Sequence, residues 1–125
     1  MVIFYSAKEE KAGERLLEIV KMIVHEEDTM ICRDIDTLSN ILHQTRTAEA
    51  IAMLYTSRNS ELQNILSLHE LLWNMKLILV LPDDNADTVA KGHSLHPRFL
   101  SYSDSNFDDI AAVLKRMLRN LDVNH

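Results

Sequence analysis

Five short β-branched and aliphatic runs, each followed by a helix-length amphipathic stretch, divide the whole chain: residues 2–6, 30–35, 50–56, 76–81 and 97–101. Few folds accommodate that alternation. Parallel strands joined by helical crossovers make a sheet buried on both faces, and their connections are right-handed. The expectation is one α/β domain over residues 1–125, a (βα)5 doubly wound parallel sheet of strand order 2-1-3-4-5. A chain of 125 residues is long enough for one core. Its site should lie at the carboxyl ends of the strands, where the strand order reverses.

The segments between the runs read as helices. Residues 9–25 place Leu16, Ile19, Val20, Ile23 and Val24 on one face, at the i, i+3, i+4, i+7, i+8 spacing of a helix packed on a sheet. Asp36 and Thr37 can cap a short second helix carrying Leu38, Ile41 and Leu42. A third runs over residues 60–74, with Ser57 or Asn59 as cap. A fourth, over 85–95, is interrupted by Gly92, and Pro97 suggests that the fifth strand is an edge. The last helix is capped by Asn106 and carries Ile110, Val113, Leu114, Met117, Leu118 and Leu121 as one stripe.

Charge and composition exclude several classes. A net charge of −6 argues against a nucleic-acid surface, which relies on clustered cations. The densest basic cluster, Lys115, Arg116 and Arg119, reads as the end of the last helix, where cations favour the dipole. The single Cys32 cannot form an internal disulfide and fits a reducing cytoplasm. No apolar run is long enough to cross a bilayer, and the N-terminus has no signal-peptide plan, so the expected location is cytoplasmic and off the membrane.

Divided this way, the chain resembles the receiver domain of bacterial response regulators (a CheY-like, flavodoxin-like fold) over essentially its whole length, in element order, length and loop placement. In that family an acidic pair after the first strand holds Mg2+ and an Asp ending the third accepts the phosphoryl group. A Ser or Thr after the fourth strand and a Lys-Pro pair after the fifth respond to it. Here the acidic pair falls on Ser6 and Ala7, and the acceptor on Tyr55, or on Thr56 with a one-residue shift. The hydroxyl position falls on Pro82, and the Lys-Pro pair on Tyr102 and Ser103. Mg2+ favours several hard oxygen ligands, normally including carboxylates, and these positions supply only hydroxyls and backbone carbonyls. The resemblance thus implies a degenerate receiver that keeps the scaffold without phosphoryl transfer, metal or cofactor. Tyr55 and Tyr102, in the acceptor and lysine positions, are expected to approach one another and hold the loops in one state.

Other clusters carry less. Lys8, Ser57 and Arg58, with Ser6 and Thr56, flank the switch point and could hold an anion at helix N-termini; solvated loop residues and a cap explain them as well. With only Gly13 and Gly92, no glycine-rich phosphate loop exists. Asp34, Asp36, Asp83, Asp84 and Asp87 fit capping and solubility, since strands two and four are not neighbours in the expected order. The histidines, His93-x-x-His96 included, lack zinc spacing. Cys32 lies in a strand without a Cys-x5-Arg loop, and no Gly-x-Ser-x-Gly elbow or nucleophile–base pair is present.

The third helix is the unusual element. Leu62, Ile65, Leu66, Leu72 and Trp73 cover its core face, while Leu68, Leu71 and Met75 extend the apolar arc beyond ~180°. Surplus apolar surface marks an interface. The expected function is a non-enzymatic interaction module in bacterial signal transduction, with a protein partner or a homodimer. The alternative is a flavodoxin-like protein binding a small ligand or anion at the ends of strands one and three.

Overall fold

The five runs pair into one parallel sheet of order β2-β1-β3-β4-β5 in the computed structural model. The strands are β1 Val2–Tyr5, β2 Thr29–Cys32, β3 Ile51–Tyr55, β4 Lys76–Leu81 and β5 Phe99–Tyr102. The helices are α1 Lys11–Ile23, α2 Ile35–Gln44, α3 Asn59–Leu66, α4 His69–Leu72, α5 Ala86–His93 and α6 Asp108–Val123. The structure describes residues 1–7, 10–44, 50–73 and 75–123, and of 121–123 the backbone alone. This is the doubly wound, CheY-like and flavodoxin-like architecture that the alternation of runs implies. Among the described residues no helix is long and apolar enough to cross a membrane.

Period-two alternation divides the core. Val2, Phe4, Ile51, Met53, Tyr55, Ile78 and Val80 pack with α1 and α6 on one face. Ile3, Tyr5, Cys32, Ala52, Leu54, Leu77, Leu79 and Leu81 pack with α2 to α5 on the other. The three central strands are buried along almost their whole length, which is why they read as unbroken apolar runs rather than alternating ones.

Several boundaries differ from the sequence expectation, each for a local reason. β2 stops at Cys32 because the Asp34 carboxylate accepts the Thr37 N–H at 2.7 Å. Asp34 therefore caps α2, not Asp36 or Thr37, and Ile35 begins the helix instead of ending the strand. The expected third helix is two: the Ser67 hydroxyl bonds the Asn64 carbonyl, and Leu68 leaves helical geometry at φ −99, ψ 13. A serine competing for a turn's carbonyl is a common cause of such breaks. Neither Ser57 nor Asn59 is the cap of α3, since that place is held by Arg58 without a side-chain bond. Asn106 does accept the Asp108 N–H at 3.0 Å. Residues Glu9, Asn74 and His125 and the side chain of Leu121 lie outside what is described.

Gly92 does not interrupt α5; it lies buried inside it. A Cβ there would stand 3.0 Å and 3.2 Å from the Leu81 methyls and 3.3 Å from a Leu100 methyl, so the missing side chain is what lets α5 settle onto β4 and β5. Gly92→Val should lower stability by about 1–3 kcal/mol through overpacking. In urea titration its midpoint should fall with the slope unchanged.

Candidate functional site

The strand order reverses between β1 and β3, and the crevice beyond their carboxyl ends is where such sheets bind ligands. Here Gly13 of α1 and Phe107, just before α6, pack on residues of those strand ends. Gly13 of α1 rests on Ser6 and Tyr55: a Cβ at Gly13 would lie 2.0 Å from Ser6 Oγ and 3.2 Å from Tyr55 Cδ1. Ser6 is fully buried and its hydroxyl turns back to the Ala7 carbonyl at 3.3 Å. Ser6, the first of the two positions aligned with the receiver family's acidic pair, is thus part of a packed wall, while Ala7 is half-buried.

Tyr55 is 3% exposed. Its ring meets Phe107 edge to face, centroids 6.5 Å apart and planes at 89°. Phe107 is buried with φ at 65°, a left-handed conformation that is unusual for a bulky side chain. The loop holds it there: the Ser105 hydroxyl accepts the Phe107 N–H at 2.9 Å and receives the Ser101 hydroxyl at 3.3 Å. Arg15 of α1 donates to the Ser105 carbonyl at 3.2 Å, and its guanidinium lies 5.2 Å from the Phe107 centroid, within cation–π range. The loop after β5 is thereby tied to α1 across the crevice.

Tyr102 is not part of this contact, which corrects the expected Tyr55–Tyr102 pair. Tyr55 belongs to the face covered by α1 and α6, whereas Tyr102 packs on the opposite face. Their strands are separated by β4, and the parity of each position sends the two rings to opposite sides. Tyr102 instead lines a cavity of about 220 Å3 with Pro82, Asp83, Asp84, Ser103 and Asp104. Ser103 closes its rim by donating to the Pro82 carbonyl at 3.1 Å.

The hydroxyls near the crevice are already engaged. Thr56 is buried and donates to the Val80 carbonyl through its Oγ1 at 2.6 Å and its N–H at 3.0 Å. The Glu61 carboxylate takes the Ser57 N–H at 3.0 Å and the Ser57 hydroxyl at 3.3 Å. An acid therefore holds the helix N-terminus where an anion would sit. Arg58 is exposed, and Lys8 lies outside the described residues. Arg33 pairs with Glu14.

Burial raises the Tyr5 hydroxyl to about 12, with Glu61, Asp34 and Cys32 adding to the effect. Burial, then Glu10 and Glu61, likewise raises Tyr55 against the opposing pull of Arg15. Cys32 is pushed up to about 11 by burial and Asp34, the environment of an inert thiol. Asp83 is held below the ordinary carboxylate range by its bonding to Thr88, the Asn85 N–H and Asn59. Asp34 and Asp83 are thus capping and turn residues. Among the described residues, no group of His, Cys, Asp and Glu is arranged to hold a metal ion.

Two further expectations change. Lys115, Arg116 and Arg119 do not end a helix, since α6 continues to Val123 with no cation in its last turn. Arg98 and Arg116 instead flank a groove of about 430 Å3 whose floor includes Phe99, Val113 and Met117. On the α3–α4 arc, Leu68, Leu71 and Met75 are half-buried against the core, while Trp73 is 66% exposed with His96 edge-on at 5.2 Å. The break at Ser67 rotates the second half of the arc, which no single-helix projection can show.

Residues that the sequence reading did not single out (Gly13, Arg15, Ser105 and Phe107) build most of this crevice. One signal was present: a glycine inside an amphipathic helix usually marks close packing. Compared with known protein families, curated proteins and solved structures, the chain matches none.

Two outcomes are expected. A double-mutant cycle of Tyr55→Ala and Phe107→Ala should show coupling of about 0.5–1.5 kcal/mol, whereas Tyr55→Ala with Tyr102→Ala should be additive. Tyr5 and Cys32 are raised in the folded state, so it binds more protons than the unfolded chain at alkaline pH. Their contribution is complete below the ordinary thiol and phenol values and is lost as pH rises toward about 11 and 12. Denaturant titrations between pH 8 and pH 11 should show falling stability, with the Cys32→Ala variant showing a shallower fall.

Proposed function

We propose that the chain is a receiver-like module that takes no phosphate and works through protein–protein contact in bacterial signal transduction, in the cytoplasm and without a cofactor. The observation that carries this reading is the burial of Tyr55. At the acceptor position stands Tyr55, buried under Gly13 and against Phe107, where a switch would need a reachable carboxylate and room for a phosphoryl group. Arg15 donates to the Ser105 carbonyl, which joins the loop after β5 to α1.

An anion-binding role for the same crevice is less well supported. Glu61 already occupies the backbone and hydroxyl donors of Ser57, and Glu10, Asp34 and Glu61 all act on the two tyrosines that line the region. Carboxylates near a site oppose a second negative charge. What remains for function is the outer surface, including the exposed Trp73 on α4's C-terminal side and the groove beside Arg98 and Arg116.

The test is a comparison of amide NMR spectra with and without Mg2+ and beryllofluoride, together with incubation in acetyl phosphate. The expected outcome is an unchanged spectrum and no mass increase. Shifts centred on Tyr55 and Thr56, or a phosphorylated species, would sink the reading.

A further inference from the structure

Two hollows on the outside of α6 run into one another. The groove of about 430 Å3 between Arg98 and Arg116 has Phe99, Val113 and Met117 in its lining. A second hollow, of about 520 Å3, follows the outer face of the helix past Ala111, Lys115 and Arg119. Ala112 and Arg116 line both. From Asp108 to Arg119 this surface extends three turns, about 16 Å along the axis.

The helical period explains its make-up. Ile110 and Leu114 are buried against the sheet, and 3.6 residues per turn sends Ala112, Lys115 and Arg119 to the opposite side. Ala112 ends at its Cβ, so a second helix can approach α6 there at the short end of the ~8–10 Å packing range. Phe99, Val113 and Met117 are half-buried, and their remaining apolar surface is what such a helix would cover.

Charge defines the partner further. The chain has 19 Asp and Glu against 13 Lys and Arg, yet Arg98, Lys115, Arg116 and Arg119 gather here with only Asp108 and Asp109 among the lining acids. Those two lie in the first turn of α6, where the open N–H groups of the helix offset them. The nearest helical cations, Lys115 and Arg116, stand two turns further on, about 10 Å along the axis. Residues 110–121 include no acid, and among the described residues none of the four cations pairs with a carboxylate. Their charge is therefore available to a partner. A nucleic-acid backbone or an anionic bilayer would bring phosphates against Asp108 and Asp109, and neither has apolar side chains to fill a floor sunk between two arginines. We propose that this face of α6 docks an acidic amphipathic helix of a protein partner, its apolar stripe on Phe99, Val113 and Met117 and its carboxylates on the four cations. The proposal rests on the protein-contact reading and adds the place and the chemistry of the partner.

The probe is a synthetic helix of about four turns with a leucine stripe flanked by glutamates, titrated into the isotope-labelled full chain. Amide shifts should centre on Phe99, Val113, Arg116 and Met117, and affinity should fall as salt is raised. Arg98→Glu with Arg116→Glu should weaken binding about tenfold or more, with an unchanged far-UV circular dichroism spectrum because both side chains are exposed. The same double variant should gain affinity for a peptide carrying lysines in place of the glutamates. Ala112→Trp should block the acidic peptide without altering charge. No shifts at millimolar peptide, shifts centred elsewhere, an affinity indifferent to charge reversal, or tighter binding of a DNA duplex or anionic phospholipid vesicles to these residues would each overturn the proposal. A failed titration without phosphate uptake from acetyl phosphate removes this docking face alone, whereas phosphate uptake overturns the phosphate-independent reading and leaves the titration to decide the face.

Discussion

The seating of α1 on the ends of β1 and β3 is the contact on which the rest of this structure depends. Because Gly13 has no side chain, the helix backbone comes down onto Ser6 and the Tyr55 ring. That approach buries Ser6 and Tyr55 at the reversal of strand order and places Arg15 over Phe107. Phe107 in turn fixes the entry of α6, whose buried Ile110 and Leu114 cover the same face of the sheet. Close packing transmits such constraints because side chains in a dense interior have few alternative arrangements.

The electrostatics follow from that burial. In an open crevice, cations would have to offset the carboxylates that catalysis or phosphate sensing demands. Here the carboxylates near the crevice serve structure: Glu61 engages Ser57 at the start of α3, Asp34 caps α2, and Glu14 pairs with Arg33. Each satisfies a donor at a helix end or anchors a half-buried arginine. Backbone groups left open at helix termini need such partners. Burial first, and then the field of Glu61, Asp34 and Glu10, makes Tyr5 and Tyr55 less acidic.

Polar groups on the opposite edge repeat the pattern. Asp83 organises the turn after β4 through Asn85 and Asn59, and Thr88 of α5 bonds the same Asn59. A network of this kind joins α3 and α5 across the end of the sheet. It accounts for an acidic loop without recourse to a metal.

Much of the fold was legible in the amino-acid sequence because hydrophobic periodicity is a local property. Unbroken runs such as Leu77 to Leu81 require burial on both faces, and the stripe from Ile110 to Leu118 requires one covered side; together these point to a doubly wound sheet, and the expected order is the one the strands pair in. The absence of carboxylates at Ser6, Ala7 and Tyr55 was equally plain. The break at Ser67 was not, because a serine in a helix and a serine ending one look alike until its hydroxyl finds a carbonyl. Nor was the partner of Tyr55. Whether a ring at a strand end meets Tyr102 or Phe107 depends on which face of the sheet it enters and on a loop held at positive φ. Those are long-range choices, made only when α1, β5 and α6 come together.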